Sequence, residues 1–141
     1  MKFSVVIATY NRADELLKTL ESLSRLQVGE PWEVVIVDNN SSDNTKEVVL
    51  KASSDFPVPL RYFFEPEQGR SAALNTGIKA AQGEIIVTTD DDVRLEENWL
   101  SNADRALQTL GCDYLGGKAL PISLPSPVFW KISLPQRRQP G

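Results

Sequence analysis

Glu84-Ile85-Ile86-Val87-Thr88-Thr89-Asp90-Asp91-Asp92 decides how this chain reads: a short, largely apolar run ends in three consecutive carboxylates. The six residues before the acids have the β-branched character of a buried strand. Val93 to Leu100 reads as a loop that opens a helix. Three like charges at the mouth of a sheet repel one another and invite a counter-cation. All-oxygen donors favour a hard divalent ion, Mn2+ or Mg2+, which would in turn hold a diphosphate. Taken alone, the triplet reads more readily as a solvated surface or as acids at the positive end of the following helix, and it is the rest of the chain that favours the metal.

Outward from the triplet, β-branched runs alternate with helical patterns. Phe3 to Thr9 is a near-continuous apolar strand, and Leu16, Leu20 and Leu23 then recur at helical spacing, with Leu17 widening the stripe. Asn11 is the expected N-cap of that helix, and Gly29 with Pro31 its expected end. Trp32 to Val37 reads as a second strand closing on Asp38, and Asn39 to Asn44 as a polar turn before a helix from Thr45 to Ala52. Leu60 to Phe64 is a third strand. Ser71 to Ala81 is a helix stopped by Gly83 at C′. A helix from Glu97 to Leu110 and a strand from Asp113 to Gly117 follow the triplet. Strands separated by helices of this length imply right-handed crossovers, hence an α/β three-layer fold with a mostly parallel, doubly wound sheet. Ligands of such sheets bind at the carboxyl ends of the strands. That edge gathers Thr9-Tyr10-Asn11-Arg12, Asp38-Asn39-Asn40 and Asp90-Asp91-Asp92.

The length of 141 residues suits one domain, and 41% hydrophobic with 24% charged residues suits a globular one. A net charge of −4 gives no basic footprint for nucleic acid. The chain has no histidine, which excludes Ser-His-Asp and Cys-His chemistry, and its one cysteine, Cys112, reads as a buried structural thiol. No stretch is long and apolar enough for a transmembrane span, and the N-terminus does not read as a signal peptide. The expectation is a cytoplasmic protein, with a peripheral position at a membrane left open. After residue 117, Pro121, Pro125, Pro127, Pro135 and Pro140 interrupt the text and no helix or strand pattern is evident. Val128, Phe129 and Trp130 in that tail read as apolar surface without a partner.

Five segments, in order, resemble family 2 glycosyltransferases: Val5 to Arg12, Val34 to Asp43, Gly69 to Ile78, Ala81 to Glu84, and Thr89 to Asp92. They cover roughly residues 3 to 117. The resemblance implies a nucleotide-binding sheet of the GT-A type and transfer, with inversion, from a nucleotide-diphosphate sugar donor. It places Asp38 on the nucleotide base, Thr9, Tyr10, Asn11 and Arg12 along base and ribose, and Arg12 and Arg70 towards phosphate. Asp90 and Asp92 match the family's DXD positions, with Mn2+ or Mg2+ as cofactor and Asp90 or Asp91 near the ribose. Asp91 is an alternative direct ligand. On the residues alone, Asp38 reads better as a turn residue capping Asn39 to Asn44, and Arg70 equally well as a solvated start of a helix. A dinucleotide fold fits poorly, since no glycine follows the first strand.

The family draws its general base and acceptor contacts from a second half. Residues 118–141 hold no carboxylate, so the catalytic base is assigned to no residue here. The expectation is therefore an apparently truncated chain: residues 1–117 as the nucleotide-sugar-binding part, and 118–141 as a Pro-rich irregular tail beginning an acceptor half. The acceptor, a saccharide or lipid-linked saccharide, is not identified. The alternative is a catalytically incomplete fragment or a non-catalytic sugar-nucleotide-binding module.

Overall fold

A computed structural model describes residues 1–110, 114–116 and 131–133. They form β1 (Phe3–Thr9), α1 (Ala13–Leu23), β2 (Trp32–Asp38), α2 (Thr45–Asp55), β3 (Leu60–Phe64), α3 (Arg70–Ala80), β4 (Ile85–Thr88), α4 (Trp99–Leu110), β5 (Tyr114–Gly116) and β6 (Lys131–Ser133). The strands make one sheet in the order β3-β2-β1-β4-β6-β5. The first four are mutually parallel, and β6 runs antiparallel to both β4 and β5.

Every residue of β2, and all but Ala8 of β1, is buried, as continuous apolar strands require when helices cover both faces. Alternation along the strands divides the core in two. Phe3, Val5, Ile7, Val34 and Ile36 pack with Leu16, Leu20 and Leu23 of α1, Val49 of α2, and Leu100, Ala103 and Leu107 of α4. Val6, Val35 and Val37 pack on the other face with Ala73 of α3. This is the three-layer, doubly wound arrangement that the alternating pattern implies. Gly77 lets α3 lie flush on its face, since a Cβ there would stand 2.4 Å from Val6 Cγ1.

Several local expectations are corrected. Asn11 caps no helix: it sits in the left-handed region at φ 50°, and α1 begins at Ala13. The Ala13 N–H is instead taken by Asp43 Oδ2 at 3.1 Å, across 30 residues of sequence. Helix α1 ends at Leu23, before Gly29 and Pro31. Gly83 is not a C′ glycine, because α3 ends at Ala80 and Ala81 is already extended. A Cβ on Gly83 would meet the backbone of Phe3 and Ser4 at 2.6 Å, so close approach to β1 is what requires glycine there. Helix α4 starts at Trp99 rather than Glu97. In the tail, where no strand pattern is evident, Lys131–Ser133 forms β6. Cys112, Val128, Phe129 and Trp130 lie outside the described residues.

One buried charge ties the amino ends of the strands together. Glu33 is fully buried and accepts from Ser4 Oγ at 2.7 Å, Arg61 Nε at 2.9 Å and the Gln82 N–H at 2.8 Å. Burial alone would raise its carboxyl, yet these donors outweigh it and hold the group below its ordinary value. Among the described residues, no helix is long and apolar enough to cross a membrane.

Candidate functional site

At the carboxyl edge of β1, β2 and β4 lies a cleft of about 440 Å3. Thr9 reaches it from the end of β1, Tyr10 and Arg12 from the loop that follows, Asn39 from the loop after β2, and Asp90, Asp91 and Asp92 from the loop after β4. Gln68, Gly69 and Arg70 enter from the start of α3. The topology thus brings the expected segments together and adds the loop after β3.

The three acids have different surroundings. Asp90 Oδ1 pairs with Arg70 Nη2 at 2.7 Å, both side chains being more than half exposed. Asp92 Oδ2 accepts from Arg12 Nη1 at 3.1 Å, with its side chain 45% exposed. Asp91 is buried, and its Oδ2 accepts from Thr9 Oγ1 at 2.9 Å. Burial pushes the Asp91 carboxyl up, against the Thr9 hydrogen bond and the Arg12 charge, while the Asp92 charge adds to the rise.

The acidic loop is held from behind by α1. Thr19 Oγ1 accepts the Val93 N–H at 3.1 Å and lies 2.9 Å from the carbonyl oxygens of Asp91 and Val93. Ser22 Oγ accepts the Leu95 N–H at 3.1 Å. Neither hydroxyl belongs to a segment that the sequence marks as part of the site. The available signal was Thr19 lying within the Leu16–Leu20–Leu23 stripe, a polar side chain on a buried face.

Asp38 is buried and does not line the cleft. Its Oδ1 accepts the Ser41 N–H at 2.9 Å and its Oδ2 the Tyr62 hydroxyl at 2.6 Å. Burial raises the Tyr62 phenol, and the hydrogen bond to Asp38 and that group's charge raise it further. The Ser41 bond is the turn geometry of the alternative reading of Asp38. Asn11 stitches the loops after β1 and β2: its N–H donates to Ser41 Oγ at 2.9 Å, and its Oδ1 accepts the Ser42 N–H at 2.7 Å. Asp43 completes the seam by capping two helices, taking the Ala13 N–H of α1 and, at Oδ1, the Thr45 N–H and hydroxyl of α2. Burial opposes ionisation of Asp43, but these donors win and hold its carboxyl below the usual range.

The donor set suits Mn2+ or Mg2+ in a restricted way. Asp90 and Asp92 present exposed carboxylates at the cleft, while Asp91 is hydrogen-bonded inward. Among the described residues, no three His, Cys, Asp or Glu side chains form a ready-made cage. Two carboxylates with the remaining positions left to water and phosphate oxygens is the usual arrangement for Mg2+.

The family model for glycosyl transferase family 2 matches residues 4–140. Glycosyltransferase AglE of Haloferax volcanii is 33% identical over 115 residues, which cover 81% of this chain and 38% of that protein. The GalNAc(5)-diNAcBac-PP-undecaprenol beta-1,3-glucosyltransferase of Campylobacter jejuni is 35% identical over 102 residues, covering 71% of this chain and 32% of its own length. Among solved structures, the mannosyltransferase PcManGT from Pyrobaculum calidifontis, in complex with GDP-Man and Mn2+, superposes with a TM-score of 0.71 at 31% identity. That match covers 82% of this chain and 34% of PcManGT. The chain spans about a third of the length of these relatives.

Proposed function

Because this chain belongs to glycosyl transferase family 2, we propose that its cleft binds a nucleotide-diphosphate sugar and serves transfer of that sugar, with inversion, to an acceptor hydroxyl. The observation that carries this reading is one cleft whose walls hold both guanidinium groups and exposed carboxylates. Arg12 and Arg70 bind the diphosphate, since a planar guanidinium fork matches phosphate oxygens. Helix α3 begins at Arg70 with no side-chain cap and no acid in its first turn, leaving its positive end open to an anion. Tyr10, 48% exposed at the rim, offers an aromatic face to the base. Thr9 and Asn11 shape the base and ribose side, and Asp38 acts there through the turn it forms with Ser41 and Tyr62.

Asp90 and Asp92 would hold the divalent ion, with Asp91 buttressing their loop through Thr9. When bound, Mn2+ or Mg2+ acts as a Lewis acid that neutralises charge on the departing diphosphate. The Mn2+ and GDP-Man of the PcManGT complex support this assignment. The undecaprenol-linked name of the Campylobacter jejuni relative supports a saccharide or lipid-linked saccharide acceptor, and with it a peripheral place at a membrane. In this reading residues 1–117 form the donor-binding part and 118–141 lead into the acceptor part.

A thermal-shift titration with UDP, GDP and dTDP, each with and without Mn2+, tests the proposal. With Mn2+ present, one nucleotide at a hundredfold excess over its Kd should stabilise the fold by about 2.7 kcal/mol, and the same nucleotide concentration without the metal by less. Asp90→Asn and Asp92→Asn should remove the metal-dependent part. Metal dependence unchanged in both variants refutes the metal assignment, and no shift with any nucleotide refutes the cleft reading.

A further inference from the structure

Asn39, directly after β2, is only 6% exposed, yet it reaches two neighbouring segments, the end of β1 and the loop between β3 and α3. Its Nδ2 donates to Glu65 O at 3.2 Å and to Glu67 O at 2.6 Å. Its Oδ1 accepts the Gly69 N–H at 2.9 Å. Its backbone N–H donates to Thr9 O at 2.9 Å, and its carbonyl accepts from Gln68 Nε2 at 2.8 Å. Both amide donors and the amide acceptor are therefore used, all on the loop between β3 and α3.

We propose that Asn39 is a positioning residue: it clamps the loop from Glu65 to Gly69 and so sets Arg70 and the start of α3 against the donor's diphosphate. The inference rests on the nucleotide reading of the cleft. That loop needs a clamp. Fixing each backbone residue works against chain entropy, and Gly69 is held at φ 137°, a conformation that side chains disfavour. The Glu65 carboxylate supplies one anchor by accepting from the Thr76 hydroxyl and the Glu67 N–H. The middle and far end of the loop depend on Asn39. Directly after the Gly69 anchor comes Arg70, whose guanidinium reaches Asp90 across the cleft.

Asparagine is the side chain this geometry selects. It presents two donors and one acceptor on a single short planar group. Aspartate has the same shape but turns a charge towards two carbonyl oxygens and donates nothing to them. Alanine removes all three bonds. Neither substitution touches a guanidinium or a metal-binding carboxylate.

The test uses the whole chain with Asn39→Asp and Asn39→Ala. One readout is amide hydrogen exchange at Gly69 and Ala73, and the other is affinity for UDP and GDP beside uridine and guanosine, with Mn2+ present. Exchange at Gly69 and Ala73 should quicken by about 10-fold or more in both variants, while Val35 and Ile36 keep their protection. Affinity for the diphosphates should fall by about 10-fold while affinity for the nucleosides holds. Adding Asn39→Ala to Arg70→Gln should then cost little more, because both act on the same contact. Unchanged exchange at Gly69, or a nucleoside loss equal to the diphosphate loss, overturns the clamp; the second result would make Asn39 a direct ligand contact. Strand amides that lose protection together would expose a folding defect in one variant, and the other then decides. If the unaltered protein bound no nucleotide, the cleft reading would fall on that result, whereas exchange at Gly69 would still decide the clamp.

Discussion

Gly77→Ala sets two opposing effects on a single atom. Within a helix, alanine is favoured over glycine by about 1 kcal/mol. Against that, the added Cβ would stand 2.4 Å from Val6 Cγ1 and 3.0 Å from Val37 Cγ2. Both valines are fully buried, and β-branching leaves them few rotamers into which to retreat. Overpacking of this kind costs about 1–3 kcal/mol, and a contact this short belongs at the upper end. The clash wins, with a net loss of about 1–2 kcal/mol and a Tm lower by roughly 3–8 °C for a domain of this size. Relief must come from lifting α3, which also moves Arg70 away from the cleft. Thermal unfolding of Gly77→Ala, Val6→Ala and the double variant measures the balance. With Val6 Cγ1 removed, only the helix-propensity gain and the milder Val37 contact remain. Gly77→Ala should then become nearly neutral or stabilising, a coupling of at least about 1 kcal/mol. A higher Tm for Gly77→Ala in the unaltered protein, or the same cost in both backgrounds, would refute the packing argument.

Glu33→Gln should leave Arg61 without its anion beneath α3. Because the Arg61 side chain is 29% exposed and partly hydrated, the cost sits towards the low side for a broken buried pair, about 2–4 kcal/mol, read from the urea midpoint. The folded Glu33 carboxyl titrates below its ordinary 4.5, so its stabilisation is complete above that pH and fades as pH falls through the folded value. Stability of the Gln variant should therefore vary less with pH in that acid range; an unchanged slope would count against the ion pair. Asp43→Ala uncaps α1 and α2 together and should cost about 1–2 kcal/mol, with faster exchange at Ala13 and Thr45. The folded Asp43 carboxyl also lies below its ordinary 3.8, so this contribution too is present above that pH and lost below it. An Asp43→Ala protein as stable as the parent at neutral pH would show that the caps contribute nothing.

What could be read from the sequence divides along the distance over which residues interact. The strands of the parallel sheet were legible because each is a local apolar run, and the edge that gathers the site follows from their alternation with helices. Partners far apart in sequence were not legible. Asn11 has the composition of a cap, but the donor it was expected to satisfy is taken by Asp43, 30 residues away. Gly83 follows a helix as a C′ glycine would, while its real constraint is the backbone of β1. Asp91 looks equivalent to its neighbours until Thr9, 82 residues earlier, turns it inward. The short strand β6 has too few residues to show a period and is defined by the strands on either side. The divalent ion follows from three carboxylates at a strand end, whereas the nucleotide and the role of each residue follow only from the family resemblance.

The pairing of Arg70 with Asp90, and of Arg12 with Asp92, changes what a substitution at the cleft can mean. If these arginines grip phosphate and these carboxylates grip the ion, loading the donor is an exchange of partners: two ion pairs separate and two new sets of contacts form. The observed affinity is then a difference between the two sets, each exposed pair contributing about 0–1 kcal/mol. Replacing Arg70 with a neutral residue would take a hand off the diphosphate and release Asp90 in the same stroke. Affinity for the bare cation and for the nucleotide would move in opposite directions, so a single assay on either ligand would misjudge the residue.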